Sequence, residues 1–375
     1  MQPTQGTTFV QNKNYIIVFV WLIFMTCVTF LSSPVEEWDI SSMRMSQEGS
    51  FSFDPFLGLL PVVNISQWID PNRLVDIFDL GDAKSTAPSY TVDVNKPRKT
   101  YTAGKHHVTM TIVTAYFDLG RFKKGKSLYF STDTYFDWAS SFKFLMHPLV
   151  VYSDCKRFIS RMKKFRKNQK NITRIVFTDR NRFWSYQILK EIGRIFRKPR
   201  YPKFHPNTIV PGYSSAQHSK FAVVADAVRQ DYFQTKHYAW LDVGYFRDIV
   251  NTHKKFILKI PRNFNPRKVA MNQVFPKPNP EPTMDRVFRR NMVWIGGGFF
   301  FGRREVVLKF EEQYRRTVMY FISRGLMNTD QQILFALFSR RGRRKLKPKV
   351  DVQLYKPRGN GSVWFYLGYL CYTVI

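Results

Sequence analysis

The sequence contains few of the residues that build cross-linked or metal-centred domains. It has three cysteines and seven histidines in 375 residues, and no Cys-x-x-Cys pair occurs. Three cysteines are too few for a disulfide scaffold, and without a Cys-x-x-Cys pair a structural zinc site is not expected. Because Cys27 lies in an apolar run, Cys155 and Cys371 are the one pair left for a disulfide within the chain.

Acidic residues are also scarce. The chain has 27 Asp and Glu against 59 Lys and Arg, which gives a formal net charge of +32. A surplus this large predicts attraction to polyanions such as phosphates, acidic glycans, membrane headgroups or nucleic acid. It is concentrated in residues 156–203, with seventeen basic residues against two acids, and in residues 340–349, with seven more. Most of these side chains are expected on solvated faces. We expect enough of them to converge that the protein favours an anionic partner.

Residues 15–31 contain no charged side chain. This run is at the short end for a helix that spans a membrane, and it is longer than the usual apolar core of a cleaved signal peptide. Lys13 precedes it and the acidic stretch 36–39 follows it, which favours a cytoplasmic amino terminus. We therefore expect a cytoplasmic tail over residues 1–14 and a type II signal-anchor in the Golgi or ER membrane, with a cleaved signal peptide as the alternative.

Both alternatives place the rest of the chain outside the cytosol. The sequons at Asn64, Asn171 and Asn360 are then candidate glycosylation sites, and nucleic acid is not expected as a partner. Residues 32–105 show no sustained apolar period, so we interpret them as a stem. The stem leads into a folded lumenal domain over residues 106–375.

The folded domain shows strand-length apolar runs that alternate with segments of helix length. We predict strands over 108–116, 147–153, 172–178 and 238–241, and helices over 134–144, 155–167, 215–229 and 304–323. This alternation predicts an α/β domain with a largely parallel sheet, whose strand-end acids lie on one edge. The proline-rich residues 249–290 are interpreted as a long ordered loop over the site, and residues 363–375 are expected to pack onto the domain.

Asp242 directly follows the apolar strand Tyr238–Leu241 and precedes the turn Val243–Gly244. An acid in this place costs several kcal/mol to desolvate unless something pairs with it. In open α/β sheets, the carboxyl ends of the strands are also where ligands bind. The alternative is a strand-terminating Asp that caps the turn.

Two further stretches invite a functional interpretation. The consecutive glycines Gly296, Gly297 and Gly298 cost conformational entropy, which strained dihedrals or close approach of a ligand would explain; a bulge beside bulky Phe residues is the alternative. Asp330 opens a helix whose cap is Asn328 or Thr329, and it is either an ordinary first-turn acid or a site residue.

Five motifs occur in one order along the chain: 113–120, 217–221, 238–245, 296–302 and 328–334. Together they resemble the HtrL/YibB-type family, a group of glycosyltransferase-like proteins that includes bacterial lipopolysaccharide-core proteins and animal secretory-pathway members. The resemblance covers about residues 106–345. It implies a GT-A-like (Rossmann-like) fold, a mixed and mostly parallel sheet with helices on both faces.

The resemblance also implies a chemistry and a set of site residues. The donor would be a nucleotide-sugar, the acceptor a glycan or glycoconjugate, and a Mn²⁺ or Mg²⁺ ion would bridge the donor's diphosphate. Asp242 would bind the metal and Asp330 would act as general base, or bind sugar hydroxyls with Gln331. The residues expected to hold the donor are Thr114, Tyr116, Asp118, Arg121, Asp154 and Lys220, and Gly296, Gly297 and Gly298 would flank the acceptor and the transferred sugar.

Two features depart from that implied pattern. The sequence Asp242-Val-Gly244 lacks the second acid of an Asp-x-Asp motif, and no histidine follows His253. Two alternatives follow: a metal held by Asp242, waters and phosphate, or a site without metal in which Lys and Arg neutralise the leaving diphosphate. The alternative function is a non-catalytic, membrane-anchored lumenal protein that binds acidic glycans through its basic surface.

Overall fold

A computed structural model describes residues 97–358 and 362–375. The predicted tail (1–14), the signal-anchor (15–31) and most of the stem lie outside this part of the chain. Within it, no helix has both the length and the apolar character needed to cross a membrane. The described end of the stem, residues 97–105, joins the folded domain through a β-hairpin, and the Tyr101 hydroxyl donates to the Phe233 carbonyl at 3.1 Å.

The described residues alternate between short strands and helices. The strands are β1 (Tyr101–Ala103), β2 (His106–Val108), β3 (Met110–Tyr116), β4 (Phe122–Lys124), β5 (Leu128–Phe130), β6 (Leu149–Ser153), β7 (Thr173–Phe177), β8 (His237–Leu241), β9 (Phe256–Leu258), β10 (Val269–Gln273), β11 (Ile295–Arg303), β12 (Val352–Tyr355) and β13 (Tyr372–Val374). The α-helices are α1 (Thr132–Ala139), α2 (Lys156–Phe165), α3 (Trp184–Gln187), α4 (Leu189–Arg197), α5 (Pro211–Gln230), α6 (Met284–Arg289), α7 (Arg304–Ser323), α8 (Asp330–Phe338), α9 (Arg340–Leu346) and α10 (Tyr366–Cys371). Short 3₁₀ segments lie at Ser140–Lys143, Lys167–Ile172, Arg180–Arg182 and Arg247–Thr252.

Seven of these strands form one mixed sheet in the order β12-β10-β11-β8-β3-β6-β7. Strands β8, β3, β6 and β7 are parallel, whereas β11 runs antiparallel to both β8 and β10. The prediction of a mixed, mostly parallel sheet is confirmed. The chain moves outward from β3 to β6 and β7 and then returns through α5 to β8, on the other side of β3. The carboxyl ends of β3 and β8 therefore form a topological switch point, where open α/β sheets bind ligands.

Helices cover both faces of the sheet because successive side chains of a strand point to opposite sides. On β3, Val113 belongs to a core cluster with residues of α4, α5, α7 and α8, whereas Ile112 belongs to a second cluster with residues of α1 and α2. Trp240 and Leu241 divide between the same two clusters at the end of β8. Full burial of an apolar side chain of this size contributes about 1.5–3 kcal/mol, so the two clusters fix the position of β8 firmly.

Helix α5 connects the outer strands to β8 and carries Lys220 in its middle. Pro211 occupies its first turn, where the fixed φ of proline suits a helix and no N–H is lost. The helix ends at Asp231, which adopts a left-handed conformation with φ 47°. Since a crossover helix runs antiparallel to the strands it connects, the first half of α5 lies at the carboxyl edge of the sheet.

The interpretation of residues 249–290 as one long loop is wrong in part. They include β9, the helix α6 and β10, and β10 is a strand of the main sheet. Proline disfavours the interior of a strand, but Pro266 and Pro276 flank β10 without interrupting it. The strand has five residues, and the nine residues between the two prolines were too short a run to be recognised.

The prediction that residues 363–375 pack onto the domain is confirmed. Strand β13 pairs antiparallel with β9, and Leu367 and Cys371 of α10 are buried. Cys155 is also buried, and neither of these two cysteines forms a disulfide. Asn171 of the second sequon is exposed on a 3₁₀ segment.

Candidate functional site

Three elements bring charged side chains together at the carboxyl end of β8. Asp242 follows the strand, and its N–H donates to the Gly298 carbonyl of β11 at 2.9 Å. Lys220 reaches this point from α5. Asp330 is the first residue of α8, which begins after Thr329, where the side chain of Gln332 accepts from the Thr329 N–H at 3.3 Å. The predicted helix start is confirmed.

The Lys220 ammonium lies between two carboxylates and a backbone carbonyl. Its Nζ is 3.1 Å from Asp242 Oδ1, 3.4 Å from Asp330 Oδ2 and 3.3 Å from the Gly297 carbonyl oxygen. The indole N–H of Trp240 donates to Asp242 Oδ1 at 2.6 Å. A buried charge is tolerated when it is paired and hydrogen-bonded, and this arrangement satisfies that condition. We refer to Lys220, Asp242 and Asp330 as the charge cluster.

The two carboxylates of the charge cluster differ in their access to solvent. The Asp242 side chain is 37% exposed, whereas Asp330 is 1% and Lys220 5% exposed. Asp242 is therefore the member of the cluster that a ligand can reach, and we call the solvent-exposed side of its carboxylate the cleft. Asp330 and Lys220 lie behind it.

Burial and charge act in opposite directions on the buried members. Burial raises the pKa of Asp330, the adjacent Lys220 lowers it and the charge of Asp242 raises it, with a raised pKa as the result. For Lys220, burial lowers the pKa, but the carboxylates of Asp242 and Asp330 outweigh burial and raise it overall. Lys220 therefore carries its positive charge at neutral pH.

The three consecutive glycines lie on β11 beside the charge cluster. None of them has a positive φ, so the explanation by strained dihedrals is wrong. A Cβ at Gly297 would lie 1.9 Å from Asp330 Oδ2, and one at Gly298 would lie 3.3 Å from Asp242 Oδ2. The group that approaches the backbone is thus a carboxylate of the protein itself.

The alternative prediction for these glycines, a bulge, is confirmed. The ladder between β10 and β11 shifts register between Met271 and Asn272, opposite the glycines. A Cβ at Gly296 would meet Val274 Cγ2 at 2.9 Å, which makes this first glycine a packing requirement. The bulge brings β11 close to α8 and to the end of β8.

Thr114 and Tyr116, expected at the base and ribose, are both buried. The Thr114 hydroxyl donates to the Leu241 carbonyl at 2.7 Å and so connects β3 to the residue before Asp242. The Tyr116 ring stacks on Phe158 with centroids 4.7 Å apart. Both residues lie beneath the cleft and support its floor.

The acids that follow β3 and β6 form hydrogen bonds within the protein. The Asp118 N–H donates to Asp154 Oδ1 at 3.1 Å, and Arg180 donates to the Asp154 carboxylate and to the Asp118 carbonyl. This network holds the loop after β3. Arg121 is exposed above the Tyr129 ring, 4.6 Å from its centroid, and Gln331 is half-buried beside Asp330.

Two basic residues near Asp242 were not identified from the sequence. Arg247, on the 3₁₀ segment after the turn, stacks on Phe365 at 4.6 Å and on Trp138 at 5.3 Å. Lys124 ends β4, and although part of this residue is exposed, desolvation and the nearby Arg247 lower its pKa to about 8. Nothing in the sequence distinguishes these two residues from the other basic ones.

A basic cavity of about 470 Å³ lies between α4 and the start of α5. Its charged lining is Lys190, Arg194 and Arg197, which belong to the predicted basic stretch 156–203. A Cβ at Gly212, also in the lining, would lie 3.3 Å from Leu119. The cavity therefore borders the loop after β3.

The two acids of the charge cluster are not placed to hold a divalent cation between them. In the described ranges, no group of three or more His, Cys, Asp or Glu side chains is placed to hold a metal ion. The two acids that the fold brings together both contact Lys220, whose ammonium takes the space between them.

These features define a mixed α/β domain with a partly open charge cluster at the switch point of its sheet. The family described as "Bacterial protein of unknown function (HtrL_YibB)" matches residues 108–343, more than half of the chain. The chain therefore belongs to this family, and the resemblance drawn from the five motifs is confirmed. Among curated proteins, none matches the chain.

Proposed function

We propose that this chain is a glycosyltransferase with a GT-A-like fold. It would transfer a sugar from a nucleotide-sugar to a glycan or glycoconjugate in the lumen of the Golgi or ER, anchored through residues 15–31. The observation that carries the proposal is the position of the charge cluster. It lies at the switch point between β3 and β8, where α/β sheets bind nucleotides, and it presents one carboxylate to the cleft.

In this proposal the exposed carboxylate performs the chemistry. The acceptor oxygen forms a bond to the sugar C1, the bond from C1 to the diphosphate breaks, and the acceptor proton passes to Asp242. Arg247 and Lys124 stabilise the charge that develops on the leaving diphosphate. Asp330, the base that the family resemblance implies, is enclosed and becomes the residue that positions Lys220.

The remaining predicted residues shape the donor site in this proposal. The network of Asp118, Asp154 and Arg180 fixes the loop after β3, which would line the nucleotide. Thr114 and Tyr116 form the floor below it. The acceptor is proposed to be anionic, because the cavity lined by basic residues of α4 borders the same loop.

Nucleotide release by the full chain, purified in detergent, tests the proposal. We expect one nucleotide-sugar of a panel to release its nucleotide when glycan acceptors are added. Asp242→Asn should lower that rate by about 10²–10⁴-fold, the range for loss of a general base. The matched control is Asp133→Asn, which neutralises an acid that is 75% exposed and should change nothing.

An unchanged rate in Asp242→Asn would refute the assignment of the site. The second candidate function is the acidic-glycan binder. The basic cavity and the enclosure of Asp330 favour it. A binder retains sulfated or phosphorylated glycans in a salt-dependent way, as charge neutralisation requires, and releases no nucleotide from any donor.

A further inference from the structure

We propose that the ammonium of Lys220 is the fixed cation of this site, and that the site binds a nucleoside diphosphate without a divalent metal ion. The part that concerns the diphosphate rests on the proposed function. The part that concerns the cation rests on the charge cluster alone.

The bonding capacity of the ammonium is filled. An ammonium group has three N–H donors. Three acceptors surround Lys220 Nζ, namely the carboxylates of Asp242 and Asp330 and the Gly297 carbonyl, all within 3.4 Å. The side chain is 5% exposed, so these contacts are made without water as a competitor. Lys220 is thus a built-in positive charge between two acids.

A divalent cation would need oxygens that are already engaged. Mg²⁺ is bound at about 2.0–2.1 Å and usually requires one or two carboxylates. Asp242 Oδ1 accepts from Trp240 and contacts Lys220, and Asp330 Oδ2 contacts Lys220. To bridge the two acids, a metal ion would have to displace an ammonium that the same acids stabilise. Lys220 therefore competes for the place that a metal would take.

Two further cations, Arg247 and Lys124, lie near the exposed side of Asp242, and we call their surroundings the mouth of the cleft. Arg247 stacks between the rings of Phe365 and Trp138, and Lys124 Nζ lies 4.9 Å from the centroid of Phe130. Aromatic faces attract such cations and restrict their movement. The Phe130 ring packs edge-on against the Trp138 ring, with centroids 5.2 Å apart. Lys124 and Arg247 therefore lie on neighbouring rings. A diphosphate bound in front of Asp242 would meet both.

Binding of Mn²⁺ alone to the full chain tests the cation assignment, with titration calorimetry or electron paramagnetic resonance as the readout. The wild type should show no saturable Mn²⁺ binding that depends on Asp242. In Lys220→Gln, two acids face each other without their cation, and saturable Mn²⁺ binding should appear. Stoichiometric binding to the wild type that Asp242→Asn abolishes would overturn the proposal.

Binding of UDP and GDP to the wild type supplies a second test, which holds even where Lys220→Gln does not fold. The dissociation constant of the nucleotide that binds should change by less than about twofold between EDTA and excess Mn²⁺, whereas a loss of tenfold or more on chelation would overturn the proposal. If neither nucleotide binds, the proposed function fails, and the Mn²⁺ titration still decides the role of Lys220.

Substitutions at the mouth locate the charges that hold the diphosphate. Lys124→Ala and Arg247→Ala should each weaken nucleotide binding by about tenfold in EDTA, the loss expected of one charge-assisted contact. Lys126→Ala removes an exposed lysine from the same hairpin and should leave binding unchanged. Equal affinity in all three variants would contradict the assignment of the diphosphate to this mouth.

Discussion

Acidic residues follow the neighbouring strands β3, β6 and β8, but their surroundings differ between the β3–β6 side and the β8 side of the carboxyl edge. At the ends of β3 and β6, Asp118 and Asp154 are joined to each other and to Arg180. At the end of β8, Asp242 shares Lys220 with Asp330 and keeps 37% of its side chain exposed. An acid at the end of a strand therefore lies at the edge of the sheet, but whether a ligand can reach it depends on the residue with which it pairs.

Removal of the Lys220 ammonium, which Asp242 and Asp330 share, should lower the free energy of unfolding more than any other substitution described below. Lys220→Met leaves the buried Asp330 and the partly exposed Asp242 without their cation, and loss of one partner of a buried pair costs about 3–5 kcal/mol of unfolding free energy. Urea denaturation measures this loss. Lys163→Met, on an exposed face of α2, is the matched control and should cost less than about 0.5 kcal/mol.

The pH dependence of the same variant gives an independent check. Burial already raises the pKa of Asp330, and without Lys220, the cation that lowers it, this pKa rises further above its unfolded value. A raised carboxyl pKa contributes stability at low pH that is lost as the pH rises through the folded pKa. Lys220→Met should therefore gain stability on acidification from pH 7 toward pH 5. In the wild type, the raised pKa of Lys220 contributes stability that is fully present below the ordinary lysine pKa of 10.5 and is lost as the pH rises through the folded pKa.

Exchange of the two kinds of strand-end acid for amides should separate activity from stability. Asp242→Asn should lower turnover by about 10²–10⁴-fold and cost less stability than Lys220→Met, because Asp330 still pairs with Lys220. Asp154→Asn breaks a charged hydrogen bond to Arg180 and should cost about 1.5–3 kcal/mol of stability. Turnover of that variant should stay within a few-fold of the wild type. If Asp154→Asn instead lost turnover and Asp242→Asn lost only stability, Asp154 would be the catalytic carboxylate and Asp242 a structural one.

Addition of a methyl group to the bulged strand β11 should lower stability by less than the removal of Lys220 does. Gly297→Ala places a carbon 1.9 Å from Asp330 Oδ2, and overpacking of this kind costs about 1–3 kcal/mol. Gly212→Ala is the control, because its new methyl would meet only the tip of Leu119 at 3.3 Å. In a helix, that exchange favours folding by about 0.5–1 kcal/mol. Thermal denaturation of both variants measures the difference.

The smallest expected effect distinguishes support from ligand contact at Thr114. Thr114→Val removes the hydrogen bond to the Leu241 carbonyl and should cost about 1 kcal/mol, with nucleotide affinity unchanged. A loss of affinity with unchanged stability would place Thr114 in contact with the donor, as the family resemblance implies.

Motif order and strand-end rules singled out the members of the charge cluster, but not Lys124 and Arg247 beside it. Lys220, Asp242, Gly297 and Asp330 were singled out separately, and they lie within hydrogen-bond or van der Waals contact of one another. Helix α7 was predicted at its observed bounds, since its amphipathic pattern contains neither proline nor glycine.

The sequence could not predict the pairings or the exposure. The partner of Asp154 is Arg180, 26 residues away, and the partner of Asp330 is Lys220, 110 residues away. Local pattern carries no information on such contacts, because they depend on the order of strands in the sheet. Strand β10 was missed because the run between its flanking prolines is short, and its place between β11 and β12 is a long-range property.

The charge cluster and the mouth of the cleft are built from different parts of the fold. Lys220, Asp242 and Asp330 lie on a long helix, a central strand end and a helix start, whereas Lys124 lies on a two-stranded hairpin and Arg247 on a short 3₁₀ segment. Surface segments tolerate exchange and insertion better than core elements do. Substitutions in these two surface segments can therefore change what the site recognises without altering the charge cluster.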